Sequence, residues 1–467
     1  MLFFALPHKW RWLLLLIESC YFYMAFVPVY ILIMAFTIVV DYFAGLYIEE
    51  AEGKRRKTLL VLSLVANIGV LCVFKYFNFF NANLSVLLGQ FNWENPVPYL
   101  TILLPIGLSF HTFQAMSYTI EVYRRNQKAE RHLGIYALYV MFYPQLVAGP
   151  IERPQNLLYQ FRTKFNFEYD RVVSGLKLMG WGLFKKVVIA DRLAVVVDLV
   201  FENPEGYNAL SLGIGVLFFT FQIFCDFSGY SDIAIGAARV MGFKLMKNFD
   251  SPYQSTSIKE FWARWHISLS TWFKDYLYIS LGGNRVSVPR WYLNLFIVFL
   301  ISGFWHGANW TFIIWGALHG TYLVFELILN RKITGTGLAF KRLRRFLSWM
   351  VTFVLVMLAW VFFRADNVQI AFVILQKLTT GLPELLVEGI HGGSVFQYLG
   401  VSKKELILSC GLIVFLEVVH FVDRRLSLTV WLKGKPAAFR WGVYFALVFS
   451  IVFLGVFESR QFIYFQF

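Results

Sequence analysis

Long apolar runs separated by short basic loops dominate this chain, and strict alternation of polar and apolar positions is rare. The first runs lie at about Arg11 to Phe26, Pro28 to Ile48, Thr58 to Phe77 and Leu100 to Ile120. Further runs cover Val172 to Leu199, Leu210 to Met241, Phe346 to Phe363, Leu406 to Val422 and Trp441 to Phe457, with room for two spans between Trp291 and Asn330. A helix needs roughly 20 apolar residues to cross the hydrocarbon core, whereas a barrel strand needs only short alternating segments. The pattern therefore predicts an all-α polytopic bundle of about eleven spans. It forms a single integral membrane domain over 1–467, with no soluble domain and no repeat of fixed period.

Two stretches depart from the simple span. Ile135 to Ile151 is short and interrupted by Pro144, Gly149 and Pro150. Non-helical backbone at membrane depth survives only where protein or cavity water satisfies it, so this segment is expected to be re-entrant or broken. Ile258 to Tyr278 carries Trp262, His266, Leu269 and Phe273 on one helical face, with Lys259, Arg264, Ser268 and Asp275 elsewhere. That pattern predicts an amphipathic helix at the cytoplasmic interface, with His266 turned toward the bundle.

Composition supports the membrane class: 58% of the 467 residues are hydrophobic, 19% aromatic and only 15% charged. The net charge of +15 would suit nucleic acid, but its distribution argues for orientation instead. Glu49 to Lys57, Glu121 to His132, Gly242 to Arg290 and Arg424 to Arg440 are basic loops. Arg331 to Arg345 holds six basic residues and no acid. Basic loops stay cytoplasmic, so Lys54, Arg342 and Lys433 are expected inside, with Asn95 and the terminal ESRQFIYFQF, ending at Phe467, outside. The same basic face suits anionic membrane lipid and, beyond that, a phosphate-bearing donor arriving from the cytoplasm. Lys9 and Arg11 ahead of the first run resemble a signal peptide, but no small-residue cleavage site follows, so a retained helix is expected. Cys20, Cys72, Cys225 and Cys410 lie far apart in apolar runs and read as small core residues, with no disulfide framework or zinc spacing.

Candidate chemistry concentrates between Phe261 and Gly320, where three of the eight histidines, His266, His306 and His319, sit in or beside apolar segments. A buried imidazole needs a hydrogen-bond partner or a water-filled cavity, and an ionisable group in a membrane helix suggests a function. Metal chelation is disfavoured. His306 and His319 are 13 residues apart, about 220° around a continuous helix and roughly 20 Å along it. In SGFWHGANW, Gly303 and Gly307 flank His306, and Asn309 and Trp310 at i+3 and i+4 would lie on its side, either as a narrow tunnel wall or as close helix packing with a His to Asn bond. Arg153 could line a donor funnel, pair with Glu152 or snorkel. DFSGYSD, with Asp226, Ser228, Ser231 and Asp232, lacks a nucleophile elbow and reads as interhelical hydrogen bonding. The tryptophans read as interface belts and packing.

Taken together, RWHISLSTWFKDYLYISLGGNR and GFWHGANWTFIIWGALHG resemble the membrane-bound O-acyltransferase family, in the branch of the alginate O-acetyltransferase membrane subunit and the D-alanyl-teichoic-acid export protein. LLPIGLSFHTFQAMSYTIEVYR, FYPQLVAGPIERP, FCDFSGYSDIAIG and the terminal FIYFQF extend the likeness in the family's order. The resemblance implies helices ringed around a waist where cytoplasmic and extracytoplasmic funnels meet. The family's invariant histidine corresponds to His306; its second position, Asn or His, falls on His266; and His319 matches a recurrent histidine of less defined role. It further implies a cytoplasmic acyl thioester such as acetyl-CoA as donor, no bound cofactor or metal, and a hydrolase-like extracytoplasmic partner protein. The setting would be a bacterial cytoplasmic (inner) membrane. A hydroxyl attacking a thioester needs a base, and imidazole titrates in the right range, so His306 is the candidate base. His266 would position the thioester, polarise its carbonyl or act structurally.

The expected function is O-acetylation of an extracytoplasmic polysaccharide such as alginate, directly or through the partner; peptidoglycan or another exopolysaccharide is the alternative acceptor. A secondary transporter would also use broken segments and buried histidines, but no inverted repeat is evident. A purely structural scaffold would leave three membrane-buried histidines without a task.

Overall fold

The computed structural model describes residues 2–102, 104–332, 341–381, 399–457 and 462–463. Among them, eight helices are long and apolar enough to cross a membrane: Pro28–Glu50, Gly53–Gly89, Ala209–Met241, Val288–His306, Trp310–Leu329, Arg342–Arg364, Lys403–Leu426 and Ala437–Leu454. The fold is the expected all-helical polytopic one. The other expected crossings form shorter or interrupted helices. Most of the Arg331 to Arg345 loop, much of Asp366 to Lys404 and most of the terminal ESRQFIYFQF, Phe467 included, lie outside the described residues. The chain divides into two compact units, 1–179 with 233–247, and 180–232 with 248–467.

In the first unit, α1 (His8–Met24), α2 (Ile31–Glu50), α3 (Gly53–Leu71), α4 (Phe77–Gly89), α5 (Leu108–Tyr123), α6 (Leu133–Met141), α7 (Pro154–Arg162) and most of α8 (Tyr169–Leu183) follow in order. The run expected from Leu100 becomes helical only at Leu108, because Gly107 precedes it in a left-handed conformation at φ 73°. A Cβ at Gly107 would also stand 2.7 Å from the Leu146 carbonyl.

Polar side chains bind α2, α3 and α5 together. The buried Asp41 carboxylate accepts from Ser63 Oγ at 2.6 Å and from Asn67 Nδ2 at 2.8 and 2.9 Å, while Thr37 and His111 meet at 3.3 Å. Such bonds substitute for the hydrophobic drive that is missing between helices in lipid. Arg56 covers the orphan carbonyls at the end of α5, donating to Val122 at 2.7 Å and Tyr123 at 2.9 Å.

The segment expected to break does so. Phe142 separates α6 from a single turn, Tyr143–Leu146, and the chain through Ile151 is buried. Its backbone is satisfied by protein: Gln145 donates to the Tyr139 carbonyl at 3.1 Å, and Tyr143 N–H donates to Ser19 at 3.1 Å. Glu152 takes the Met246 amide, and Gln160 pairs both ways with the Lys244 backbone at 2.8 and 2.9 Å, anchoring the segment after Met241.

The second unit holds the end of α8, then α9 (Asp191–Glu202), most of α10 (Ala209–Met241), α11 (Ile258–Arg264), α12 (Ile267–Trp272), α13 (Val288–His306), α14 (Trp310–Lys332), α15 (Lys341–Arg364), α16 (Val368–Thr380), α17 (Lys403–Leu426) and α18 (Ala437–Leu454). A π-helical turn, Phe184–Ala190, interrupts the expected Val172 to Leu199 span and brings Lys185 and Lys186 inward. Those lysines partner DFSGYSD: Lys185 reaches Asp232 and Ser228 at 2.8 Å, and Lys186 reaches Asp226 at 2.6 Å. The motif thus makes the expected interhelical bonds, through ion pairs that the sequence reading did not foresee.

Two residues of the C-terminal segment, Phe462 and Ile463, are buried. The Ile463 amide donates to Asp226 at 2.7 Å, and the Val456 amide donates to Val187 at 2.9 Å, a carbonyl within the π turn. The cysteines also differ: Cys225 is buried, but Cys72 and Cys410 lie exposed on their helices.

Candidate functional site

The hairpin of α13 and α14 carries two of the three histidines. Its helices meet at glycines: a Cβ on Gly303 would lie 2.3 Å from the Phe312 carbonyl, and one on Gly316 would lie 2.4 Å from the Phe299 carbonyl. Gly307 is similarly filled by the Phe312 ring. These glycines therefore admit helix backbone and a neighbouring ring, and of the two expected readings, tunnel wall and close helix packing, the packing is the one seen at Gly303 and Gly307.

α13 ends at His306, and Gly307 continues in extended backbone. The i+3 and i+4 relation expected for Asn309 and Trp310 therefore fails. Asn309 donates from Nδ2 to the Asp366 carbonyl at 2.8 Å and accepts the Thr311 amide at 3.1 Å, so it holds the loop and starts α14. Trp310 is 52% exposed at the start of α14.

Aromatic rings enclose His306 instead. It is 5% exposed, with the rings of Trp305 at 4.9 Å, Trp315 at 5.0 Å and Phe363 at 5.3 Å between centroids. The helix break folds His319 back against the same tryptophan, 5.0 Å from Trp315. Two histidines that could not meet on a continuous helix therefore share one ring. Trp262 donates its indole N–H to His319 Nδ1 at 3.3 Å. An Nδ1 that accepts leaves the proton of a neutral imidazole on Nε2. No group of three or more His, Cys, Asp or Glu suited to a metal occurs among the described residues.

His266 occupies a break in the expected interfacial helix. α11 stops at Arg264, His266 takes a left-handed conformation at φ 44° and ψ 55°, α12 begins at Ile267, and a π turn, Phe273–Tyr278, follows. A left-handed non-glycine costs roughly 1–2 kcal/mol, and Asn248 supplies the bonds that hold it. The Asn248 carbonyl accepts the Ile267 amide at 2.9 Å, its Oδ1 accepts the Ser268 amide at 3.2 Å and hydroxyl at 2.7 Å, and its Nδ2 donates to Ser231 at 3.2 Å. The face of Trp262, His266, Leu269 and Phe273 is buried as expected, although the helix is discontinuous.

His266 packs edge-on against Phe227 at 4.6 Å, and Phe227 in turn touches Phe462 of the C-terminal segment at 6.2 Å. Complete burial pushes its pKa down to about 3, so the imidazole is neutral at ordinary pH. Adjacent Trp265 contacts Trp360 at 4.9 Å, and Trp360 stacks on Trp315 at 5.7 Å. A chain of aromatic rings thus runs from beside His266 to His306 and His319. Arg153 lies in the other compact unit, half-buried at the start of α7.

The sequence reading missed Trp315, Trp360, Trp265, Phe363 and Asn248. Trp315 is four residues before His319, one helical turn away, which was the available signal for one of them. Nothing local in the sequence marks Trp360 or Asn248.

Comparison with known proteins adds independent findings. The sequence model of the membrane-bound O-acyltransferase family matches residues 55–365. The chain is 44% identical to the probable alginate O-acetylase of Pseudomonas aeruginosa over 79% of its own length and 70% of that protein. It is 35% identical to the peptidoglycan O-acetyltransferase of Helicobacter pylori over 99% of its length and 92% of that protein. It is 31% identical to the teichoic acid D-alanyltransferase of Streptococcus thermophilus over 49% of its length and 58% of that protein.

Proposed function

We propose, from the premise that this chain belongs to the membrane-bound O-acyltransferase family and is an integral membrane O-acyltransferase, that it draws acetyl groups from a cytoplasmic thioester, acetyl-CoA, for O-acetylation of an extracytoplasmic polysaccharide. The membrane in this reading is the bacterial cytoplasmic one. Delivery runs to the polymer directly or through a hydrolase-like extracytoplasmic partner. His306 is the general base: it takes the proton of the attacking hydroxyl and returns it to the leaving thiolate. His266, neutral and fixed in direction by Asn248, holds the thioester by hydrogen bonding and carries no charge in the step.

The observation that best supports this reading is the enclosure of His306 among Trp305, Trp315 and Phe363. A water-poor setting protects a thioester from hydrolysis and strengthens each polar interaction made there. Alginate is the first acceptor to test, because the relatives at 41–44% identity are named as alginate O-acetylases. Peptidoglycan is the second reading, supported by the nearly full-length match to the Helicobacter pylori enzyme.

The test is acetyl transfer by protein purified in lipid nanodiscs, with acetyl-CoA as donor and alginate or peptidoglycan fragments as acceptor. Release of CoA that depends on His306 supports the assignment. Wild-type release in a His306→Phe variant would overturn it.

A further inference from the structure

Three buried hydrogen-bond donors in the cluster of rings that includes His306 lack a partner among the described residues. The indole N–H groups of Trp315 and Trp360 are buried and have no hydrogen-bond partner among the described residues. His319 Nε2 is likewise buried and without a partner there, and because Nδ1 accepts from Trp262, Nε2 carries the proton and is a donor. Trp315 lies 5.0 Å from the rings of both His306 and His319, and Trp360 lies 5.7 Å from Trp315 and 6.4 Å from His319.

Leaving a buried donor unsatisfied costs about 1–3 kcal/mol, and such groups are rare enough that each needs a reason. Three within one cluster of rings make a site rich in donors. That polarity is complementary to an oxygen bearing negative charge.

We infer that Trp315, Trp360 and His319 form the donor set that stabilises the oxyanion generated when an acyl thioester is attacked beside His306. The inference rests on the reading of His306 as base and deepens it. In the step, the acceptor hydroxyl oxygen bonds to the thioester carbonyl carbon while its proton passes to His306. The carbonyl π pair moves onto oxygen, and the resulting oxyanion takes hydrogen bonds from the indoles and from His319 Nε2. Collapse re-forms the carbonyl and breaks the carbon–sulfur bond, and the thiolate recovers the proton from His306. Donors fixed before reaction in a dry site stabilise this charge without reorganising, and removal of one such donor typically costs 10² to 10³ in rate.

The test compares Trp315→Phe and Trp360→Phe in nanodiscs with acetyl-CoA as the probe, following kcat, KM and melting temperature together. To remove the donor without changing ring size, β-(3-benzothienyl)alanine, with sulfur in place of N–H, is installed at each position by nonsense suppression. The inference expects kcat to fall at least about tenfold for each isostere, with KM nearly constant and melting temperature unchanged or raised. Stability should not fall, because an unsatisfied buried donor has been removed.

Unchanged kcat in both isosteres would overturn the inference, and would leave the N–H groups as contacts on neighbouring ring faces. A change confined to KM, or an activity loss that tracks a falling melting temperature, would overturn it as well. His306→Phe run in parallel separates the two readings. If it is inactive while the isosteres are active, the donor set alone fails. If it is active while the isosteres are impaired, the base assignment fails and the donor set stands.

Discussion

Replacing His306 perturbs both packing and chemistry, and the two can be separated. His306→Ala removes a 5% exposed imidazole from between Trp305, Trp315 and Phe363. Truncations of large buried side chains to alanine cost about 2–5 kcal/mol, in proportion to the cavity that remains. Edge-to-face rings cannot close easily into that space, so a cost of about 2–4 kcal/mol is expected, seen as a lowered melting temperature in detergent or nanodiscs.

His306→Phe keeps a ring in the cage and should hold stability to within about 1.5 kcal/mol, as volume-conserving changes do. It removes both nitrogens, however, and loss of a general base typically lowers the rate by about 10² to 10⁴. CoA release from acetyl-CoA, measured beside a thermal melt, gives both numbers for each variant. Near wild-type release by His306→Phe would refute the base assignment. A His306→Ala protein as stable as wild type would refute the claim that the imidazole fills the cage.

Gly316→Ala places a methyl about where the Phe299 carbonyl stands, at 2.4 Å, and should destabilise the hairpin by about 1–3 kcal/mol; purification yield and melting temperature check this against Gly411→Ala, where the added carbon meets nothing within 4 Å. His266, with its pKa lowered to about 3, adds stability that is full above the unfolded histidine value of about 6.5 and is lost as pH falls toward 3, at up to ~1.4 kcal/mol per pH unit. A His266→Gln variant should therefore melt with a shallower acid limb than wild type, and superimposable pH profiles would count against the neutral, buried imidazole. Orientation is tested after replacing Cys72 and Cys410, the exposed native thiols: a membrane-impermeant maleimide added to intact cells should label Glu94→Cys and spare Arg342→Cys, and the reverse result would invert the donor side.

The parts of this molecule that were legible in the sequence are those governed by local rules. Apolar runs of sufficient length became the eight long helices, and Pro144, Gly149 and Pro150 announced a break whose polar groups the surrounding protein satisfies. The motifs around His306, His266 and His319 also pointed to the family that the comparisons identify. What stayed hidden depends on partners distant in the chain. The spacing of Trp262, His266, Leu269 and Phe273 is perfectly helical, and those residues do share a buried side, so nothing local signals that the helix breaks between them. Asn248 breaks it by taking the Ile267 and Ser268 amides, the donors at the start of the new helix.

The three histidines show the same limit from another side. Along a continuous helix His306 and His319 would stand on different faces, and only the turn at Gly307 to Asn309 folds both of them against Trp315. Once folded, the tryptophans change meaning. Trp315 and Trp360 are buried with no acceptor for their N–H groups among the described residues, whereas a tryptophan in an interface belt would have water or headgroups to satisfy it. The same residue type can thus serve as a membrane anchor or, as proposed here, a charge-stabilising donor, according to whether its surroundings leave the N–H an acceptor. At Trp315 and Trp360 the described residues leave none, and in the proposed reaction the missing acceptor is the negative charge that exists only while acyl transfer is in progress.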